Sequence, residues 1–334
     1  MAAAGYAPQK AAFEIVKGER QIVALSEAQV KQHLDLADLL DGLQDGFRKL
    51  ELGELQSPPR PQVTIAGKGF SLAMAAWAPG MQICVKVVNV FERNLDIGLP
   101  NHLAMIMLFD PGTGATTCVM DGTHITGART AASAVLSARL LSRPDATVAT
   151  IAGAGVQARE HLELLPLIRG LGRINICSLH LADARKLARR SPLARASDDI
   201  EAAVRESDIV CLATHSAAPV IGPGWIKPGA HVTSVGYHPP DGELPRSLAS
   251  GHRLFVETPA AFEAPPVGCA ELTGLDPANA ATLGAVIAGN KPGRISDTEI
   301  TVYKAMGTGM QDMIAANLAY HSALRSRTTQ KLSW

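Results

Sequence analysis

The spacing of hydrophobic and polar positions changes near residue 127 of the chain. Before this point, short runs of β-type residues follow one another with turn residues between them. They predict strands at Gln62–Ala66, Phe70–Trp77, Gln82–Val90, Leu103–Phe109 and Ala115–Met120. The turn at residues 110–114 joins the last two strands as a hairpin. Consecutive strands without helices between them predict a mostly antiparallel sheet.

Helical spacing flanks this first part of the chain. Ser26 and Gln29 form a capping-box pattern, and apolar residues recur at helical spacing from Val30 to Leu52. A second long helical pattern runs from about Val302 to Leu324. Residues 1–20 are expected to form a loose arm with a short strand.

After residue 127, strands and helices alternate. The predicted helices are Arg129–Ser142, Val156–Arg169 and Ala182–Arg190. The predicted strands are Thr147–Gly153, Ile174–Leu179, Asp208–Thr214, His231–Gly236 and Arg253–Glu257. Alternation of this kind builds βαβ units and a parallel sheet. The fold class is therefore α/β, with a Rossmann-type doubly wound parallel sheet and a second, α+β domain.

Composition and charge exclude several classes of protein. Among 334 residues, 31 Lys and Arg balance 31 Asp and Glu, so nucleic acid and anionic membranes are not expected partners. The 5 cysteines are scattered without a CxxC pair, as in a reduced cytosolic protein. No secretory signal and no apolar run of ~18 residues is seen, so we expect a cytoplasmic location. The histidines lack metal-ligand spacing, so no metal site is expected.

A glycine-rich turn stands between a predicted strand and a predicted helix. Residues 153–158 read Gly-Ala-Gly-Val-Gln-Ala, a GxGxxA pattern. Gly153 permits a tight turn, Gly155 lets a pyrophosphate approach the backbone, and the small Ala158 lets helix and strand pack closely. The start of the helix offers N–H groups to the phosphates. The alternative is a plain tight turn, but the strand-before and helix-after context favours dinucleotide binding.

The end of the next strand bears on the choice between NAD and NADP. An Asp or Glu there would bind the adenosine ribose hydroxyls of NAD. The chain has Ser178, Leu179 and His180 instead, and Asp183 already belongs to the next helix. These side chains can accommodate the 2′-phosphate of NADPH, and Arg185 is nearby in the sequence. NADPH is therefore expected to be slightly preferred over NADH.

Three cations occur where a substrate carboxylate could bind. Lys86 lies in the middle of an apolar strand, Arg129 begins an otherwise apolar helix, and Arg60 follows two prolines. Arginine binds carboxylates with two parallel hydrogen bonds, and lysine can also donate a proton. These residues indicate a small anionic substrate. The alternative for Lys86 is an edge lysine that protects the sheet from aggregation.

Several motifs resemble the ornithine cyclodeaminase/mu-crystallin family. Residues 120–132, Met-Asp-Gly-Thr-His-Ile-Thr-Gly-Ala-Arg-Thr-Ala-Ala, resemble the MDG-x-x-IT-x-x-RTAA signature. Residues 153–158 resemble the G-x-G-x-QA turn, and residues 235–244 resemble VG-x-x-x-PD-x-x-EL with one residue deleted. Residues 303–312 are similar to the closing FKSLG-x-x-x-ED. The motifs occur in order between about residues 30 and 325.

The resemblance implies a two-domain homodimer with NAD(P)-linked chemistry on α-amino or α-imino acids. A substrate and dimerisation domain would comprise residues 1–126 and 307–334, and a Rossmann domain residues 127–306. By position, Arg60, Lys86 and Arg129 match cations that bind the substrate carboxylate. The positions that match cofactor contacts, beside the two glycines of the turn, are His102, Arg129, Ala154, Val156, Gln157, Ser178, His180, Thr214, Val235 and Gly307.

One departure from the family pattern concerns the reaction. Family members that deaminate carry an aspartate two residues after the VG glycine, whereas here Tyr237 and His238 follow Gly236. The expected function is therefore NAD(P)H-dependent reduction of a small α-imino acid to an L-amino acid, with Lys86 or His238 as proton donor. Substrates could be a cyclic ketimine such as Δ1-pyrroline-2-carboxylate or an acyclic imine such as iminosuccinate. The alternatives are an ornithine cyclodeaminase or alanine-type dehydrogenase, and a cofactor-bound crystallin-like binding protein.

Overall fold

A computed structural model describes residues 15–16, 19–265, 267–326 and 329–333. The expected N-terminal arm falls mainly outside these described residues, as does the segment considered for a secretory signal. The strands are β1 (Ile15–Val16), β2 (Glu19–Leu25), β3 (Gln62–Ile65), β4 (Gly69–Ala76), β5 (Ile83–Val90), β6 (His102–Phe109), β7 (Thr116–Asp121), β8 (Val148–Ala152), β9 (Arg173–Cys177), β10 (Ala194–Ser197), β11 (Ile209–Leu212), β12 (His231–Ser234), β13 (Arg253–Val256), β14 (Ala280–Thr282), β15 (Thr301–Lys304) and β16 (Gln330–Ser333). The helices are α1 (Glu27–His33), α2 (Leu36–Glu51), α3 (Thr123–Leu141), α4 (Val156–Leu164), α5 (Leu181–Ala188), α6 (Ile200–Glu206), α7 (Arg246–Gly251), α8 (Leu283–Ile287) and α9 (Gly309–Ser326).

The chain forms two compact units. The first takes the described residues of Met1–Gly42, Leu52–Thr126 and Thr308–Trp334, and the second takes Leu43–Glu51 and Gly127–Gly307. The expected domain boundaries placed all of α2 in the first unit. Its second half, Leu43–Glu51, instead packs within the second unit. There the Thr282 hydroxyl donates to the Glu51 carboxylate over 2.7 Å.

The first unit is built on one sheet in the order β1-β2-β7-β6-β5-β4-β3, with β16 paired to β2. The pairs from β3 to β7 are antiparallel, and β2 and β7 run parallel. The mostly antiparallel sheet predicted from the sequence is therefore present. Helix α9 packs on β4, β5 and β6. The alternation of buried and partly exposed residues along β5 follows from this, because the helix covers one face only.

The long helical pattern after Val30 belongs to two helices. The Ser26–Gln29 capping box forms as predicted at the start of α1. Leu34 then takes an extended backbone, and the Asp35 carboxylate accepts the N–H groups of Ala37 and Asp38 at 2.8 and 2.9 Å. An aspartate at this place starts a new helix, because it pairs N–H groups that have no partner within the helix.

The second unit is built on a parallel sheet in the order β10-β9-β8-β11-β12-β15-β13-β14. The doubly wound α/β fold predicted from the sequence is confirmed. Strand β8 lies at the centre of a reversal in strand order. From β8 the sheet continues on one side through β9 and β10, and on the other side through β11 and β12. In such sheets, ligands bind beyond the carboxyl ends of the strands at this reversal.

The helix predicted from Val302 is wrong over its first residues. Thr301–Lys304 form β15, which is buried along its whole length between β12 and β13, and α9 begins only at Gly309. A short apolar run can be a buried strand or part of a buried helix, and periodicity alone does not separate the two.

The cysteines belong to the cores. All five are free and buried. Burial raises the pKa of the Cys118 thiol to about 12, so the thiol stays protonated and unreactive at neutral pH. Among the described residues, no helix has the length and apolar character needed to cross a membrane.

Candidate active site

The glycine-rich turn joins β8 to α4 in the second unit. The Gly153 N–H donates to the Cys177 carbonyl over 2.7 Å, and Gly153 has a φ of +120°. A Cβ atom at this position would overlap the carbonyl oxygen of Ala213, just beyond β11. Glycine is required here because both the backbone angle and the close approach of a neighbouring strand exclude a side chain.

Gly155 has a different reason to be glycine. It is the N-cap of α4, no side chain caps this helix start, and a Cβ atom there would meet open space. The N–H groups of Val156 and Gln157 have no partner within the helix. Within the described part of the chain, the buried side-chain oxygen of Gln157 lacks a protein partner. These features fit a dinucleotide whose pyrophosphate rests on the N–H groups after Ala154.

The end of β9 presents no carboxylate. Ser178 is partly buried, and Leu179, the next residue, is 94% exposed. His180 is the N-cap of α5, with no side-chain hydrogen bond to the helix start. Asp183 and Arg185 lie within α5 and are exposed. The arrangement lacks the acceptor that selects the ribose hydroxyls of NAD.

Glu243 joins the ends of β11 and β12. One carboxylate oxygen accepts the N–H and the hydroxyl of Thr214, at 2.6 and 2.7 Å. The other accepts the Ser234 hydroxyl and the N–H groups of Val235 and Gly236, at 2.8, 3.2 and 2.6 Å. Glu243 is fully buried, and its five hydrogen bonds compensate the loss of water. Two predicted cofactor-contact positions, Thr214 and Val235, are therefore fixed by one carboxylate.

A buried ion pair extends this network to β15. The ammonium of Lys304 donates to the Ser234 hydroxyl at 3.0 Å, to the Gly236 carbonyl at 2.6 Å and to the Glu271 carboxylate at 2.8 Å. Lys304 and Glu271 have 0% and 3% exposure. The position of Gly242 must remain glycine, because its φ is +74° and a Cβ atom would overlap the Glu271 carboxylate.

Arg129 and Gly307 are brought together in the second unit. Arg129 on α3 is 5% exposed, and a Cβ atom on Gly307 would overlap its guanidinium group. The Glu257 carboxylate accepts the N–H groups of Met306 and Gly307 at 2.7 and 2.5 Å. Burial, and next the charge of Glu257, raise the pKa of Tyr303 well above its usual value, so this hydroxyl is neutral.

Lys86 is a buried charged residue of the first unit. It lies on β5, in the interior of the sheet, and pairs across strands with Met74 and Ile106. Its side chain has 0% exposure, and its ammonium lies 2.7 Å from the carboxylate of Asp312 on α9. The edge-lysine interpretation is therefore wrong, because β5 has strands on both sides and the lysine side chain is buried.

The other two predicted residues of the first unit lie in less buried places. Arg60 is partly buried in the loop after Pro58 and Pro59. His102 is exposed at the start of β6, where its Nδ1 is 3.1 Å from the Asn101 side-chain oxygen. It is four residues from Ile106, the cross-strand partner of Lys86, which corresponds to roughly 13 Å along the strand.

His238 stacks on a second histidine. The rings of His215 and His238 have centroids 4.2 Å apart. The Nδ1 of His238 is 2.9 Å from the His215 carbonyl, which only accepts, so Nδ1 carries a proton and Nε2 is the acceptor nitrogen of the neutral ring. Over the ranges that the structure describes, no group of three His, Cys, Asp or Glu side chains could hold a metal ion.

Sequence reasoning assigned no role to three buried carboxylates, those of Glu243, Glu257 and Asp312. Two of them, Glu243 and Asp312, lie in the motifs at residues 235–244 and 303–312. The available signal was the presence of charged residues within apolar segments, because a buried charge requires a partner.

A doubly wound sheet with this glycine-rich turn defines the protein as a Rossmann-type dinucleotide-binding protein. The profile of the ornithine cyclodeaminase/mu-crystallin family matches residues 20–327. Ketimine reductase mu-crystallin from Mus musculus is 33% identical over 307 residues, which cover 89% of this chain and 96% of the relative.

Two solved structures are similar over almost the whole chain. Δ1-pyrroline-2-carboxylate reductase from Thermococcus litoralis, solved with NADH and L-proline, has a TM-score of 0.86 and 29% identity, covering 93% of this chain and 100% of that one. An archaeal alanine dehydrogenase dimer with bound NAD has a TM-score of 0.83 and 28% identity, covering 93% and 99%.

The chain belongs to the ornithine cyclodeaminase/mu-crystallin family, as the sequence motifs predicted. It is an NAD(P)-dependent oxidoreductase that acts on C=N or CH–NH bonds. Its relatives include enzymes named for imine reduction and enzymes named for amino-acid dehydrogenation.

Proposed function

We propose that this enzyme reduces a small α-imino acid to the L-amino acid with NAD(P)H. The observation that carries the proposal is the loop after β12, where Tyr237 and His238 stand in place of the aspartate of deaminating family members. Reduction of an imine in one step does not need a group that expels ammonia. The relatives named ketimine reductase and Δ1-pyrroline-2-carboxylate reductase support a cyclic ketimine as first candidate. Iminosuccinate is the acyclic alternative.

The roles of the side chains follow from what imine reduction requires. The bound cofactor supplies a hydride to the imine carbon, and the protein must supply a proton to the nitrogen. We assign this proton to Lys86, with His238 as the second candidate. Arg60 and Arg129 bind the carboxylate, because a guanidinium group forms two parallel hydrogen bonds with it. Fixing the carboxylate orients the imine for hydride transfer, which contributes much of the rate.

For the cofactor, we propose a modest preference for NADPH over NADH. Support comes from the end of β9, where Ser178, Leu179 and His180 carry no carboxylate to bind the ribose hydroxyls of NAD. The measurement is the KM for each nucleotide with the same imine. A lower KM for NADPH is expected, and a much lower KM for NADH contradicts the preference.

We propose that the first unit forms a homodimer through the sheet face opposite Lys86. This face carries exposed apolar side chains, including Val63 at 67% and Met105 at 54% exposure. An antiparallel sheet normally presents polar residues to water, so this face is suited to a second copy. Sedimentation should show a dimer that Met105→Glu dissociates. The same substitution at the exposed Leu179 of the second unit serves as control, and a stable wild-type monomer contradicts the dimer.

The experiment that tests the function is a panel of substrates. Loss of nicotinamide absorbance is followed with Δ1-pyrroline-2-carboxylate, other cyclic ketimines and iminosuccinate. Ammonia release from L-ornithine without net redox change is measured in parallel. Turnover in the first assay supports the reductase. Ammonia release alone identifies a cyclodeaminase, and tight cofactor binding with no turnover identifies a binding protein.

A further inference from the structure

The pairing of Lys86 with Asp312 joins two elements far apart in the chain. Asp312 is in the first turn of α9, and the two residues are 226 positions apart. Both side chains have 0% exposure, and Nζ and Oδ1 are 2.7 Å apart. The positive end of a helix dipole favours a carboxylate in the first turn. The fold therefore places the Asp312 carboxylate directly against the sheet lysine.

A second acceptor fixes the direction of the ammonium group. The Thr126 hydroxyl donates its proton to the Gly122 carbonyl over 2.8 Å, so its oxygen lone pairs are directed elsewhere. Lys86 donates to this oxygen over 3.4 Å. Asp312 and Thr126 approach Nζ from α9 and α3, while the lysine stem is held between Met74 and Ile106 on β4 and β6. An ammonium on a flexible stem is thereby limited to a narrow range of orientations.

Stability alone does not explain such a pair. Removing two charges from water costs several kcal/mol per ion, and a well-packed apolar pair of similar volume is often as stable or more stable. Lys86 interrupts a row of buried apolar residues that includes Met74, Ile106 and Met120. An apolar side chain at position 86 would continue this row without needing Asp312.

We propose that Asp312 is a positioning residue for Lys86, which it orients toward the imine nitrogen and restores to the ammonium form after each turnover. The inference rests on the proposed imine reduction. In the step itself, an Nζ–H bond of Lys86 breaks and its electron pair stays on Nζ. The proton forms the new N–H bond of the amine, while the hydride supplied by the cofactor forms the C–H bond. Asp312 remains a carboxylate throughout, and neutral Lys86 regains a proton from water.

The test compares Asp312→Asn with the wild type between pH 6 and 10. Loss of the carboxylate should lower kcat at least about 10-fold at pH 8.5 with KM changed less than about threefold. The basic limb of the kcat/KM profile should move to lower pH by about one unit, because the ammonium loses its anionic partner. A uniform loss at every pH, or an unmoved profile, overturns the proposal.

Asp110→Asn is the matched control. Asp110 is also a buried aspartate of the first unit, but its carboxylate closes the β6–β7 turn by accepting the Gly112 and Thr113 N–H groups. The Asp110→Asn variant should therefore have the same pH profile of kcat/KM as the wild type. If Asp312→Asn does not fold, Asp312→Glu keeps the charge and displaces it. We then expect a lower kcat with an unmoved basic limb, and a wild-type kcat contradicts positioning.

A measurement without turnover separates this inference from the proposed function. The ¹³Cε resonance of Lys86, assigned by its loss in Lys86→Met, reports the charge of Nζ during a pH titration. In Asp312→Asn, this resonance should titrate at lower pH than in the wild type. If the wild type reduces no imine but the resonance moves as expected, the proposed function fails while the pairing stands. If imines are reduced and the resonance does not move, only the inference about Asp312 fails.

Discussion

At the scale of single residues, the two glycines of the nucleotide turn are glycine for different reasons. Gly153 has no space for a side chain, because a Cβ atom would overlap the Ala213 carbonyl. Gly155 faces open space, and its backbone angles of −82° and −159° suit any residue. The first glycine therefore serves the fold, and we propose that the second serves the ligand.

This difference predicts separable effects of substitution. Gly155→Val should fold with normal stability and lose NADPH binding, because the side chain occupies the space of the pyrophosphate. Gly153→Val should lower the free energy of unfolding, through both the strained φ and the overlap. Calorimetric titration and urea unfolding measure the two effects. Normal nucleotide binding by Gly155→Val places the cofactor elsewhere.

Lys86 gives a second prediction at this scale. Lys86→Met keeps the length and apolar stem of the side chain but removes the charge and the proton. We expect kcat/KM to fall by ~10²-fold or more, which is the usual scale for a lost general acid. Lys49→Met is a control, because Lys49 is a partly exposed lysine paired with Asp45 on α2. Near-normal kinetics in Lys86→Met would refute its role as proton donor.

Two buried histidines make stability depend on pH. Burial lowers the pKa of His161 to about 4 and that of His231 to about 3, below the unfolded value near 6.5. The unfolded chain therefore binds more protons than the folded one between about pH 6.5 and 4. Stability is full above this window and is lost as the pH falls through it.

His161→Leu should reduce this dependence. The slope of unfolding free energy against pH, measured by urea unfolding from pH 4 to 7, should decrease by up to ~1.4 kcal/mol per pH unit, the contribution of one proton. The variant loses the hydrogen bond from His161 to the Gln157 carbonyl at every pH, which shifts the whole curve but leaves its slope. An unchanged slope contradicts the assignment of a neutral buried imidazole.

At the scale of elements, Glu243 sets the geometry of two neighbouring strand ends. Its carboxylate binds the loops after β11 and β12 at the same time, and Lys304 of β15 contacts the second loop. These loops carry Thr214 and Val235, two predicted cofactor contacts. The parallel sheet alone brings strand ends to one edge, and a shared carboxylate then fixes their separation.

Replacing this carboxylate should therefore weaken cofactor binding. In Glu243→Gln, one acceptor oxygen becomes an amide donor that faces N–H groups, which costs about 1–3 kcal/mol of stability. We expect the Kd for NADPH to rise about 10-fold with unchanged circular dichroism. Glu201→Gln, at an exposed pair with Arg205, is the control. An unchanged Kd in Glu243→Gln contradicts this role.

At the scale of the whole molecule, the sequence predicts secondary-structure elements better than it predicts contacts between side chains that are distant in the chain. Strands, the glycine turn and the capping box were predictable because their signals are local and periodic. The pairing of Lys86 with Asp312 was not, because no local rule connects residues 226 positions apart. The helix predicted from Val302 failed for a related reason, since burial within a sheet removes the alternation that marks a strand.

The central claim is that hydride passes from the nicotinamide to an imine carbon of an α-imino acid. The most direct measurement uses NADPH deuterated on either face of nicotinamide C4, with Δ1-pyrroline-2-carboxylate as substrate. One of the two labelled cofactors should give L-proline that is one mass unit heavier, with the deuterium on Cα, and the other should give unlabelled L-proline. Proline without deuterium from both cofactors, or no amino acid from any imine tested while L-ornithine releases ammonia, would contradict the claim.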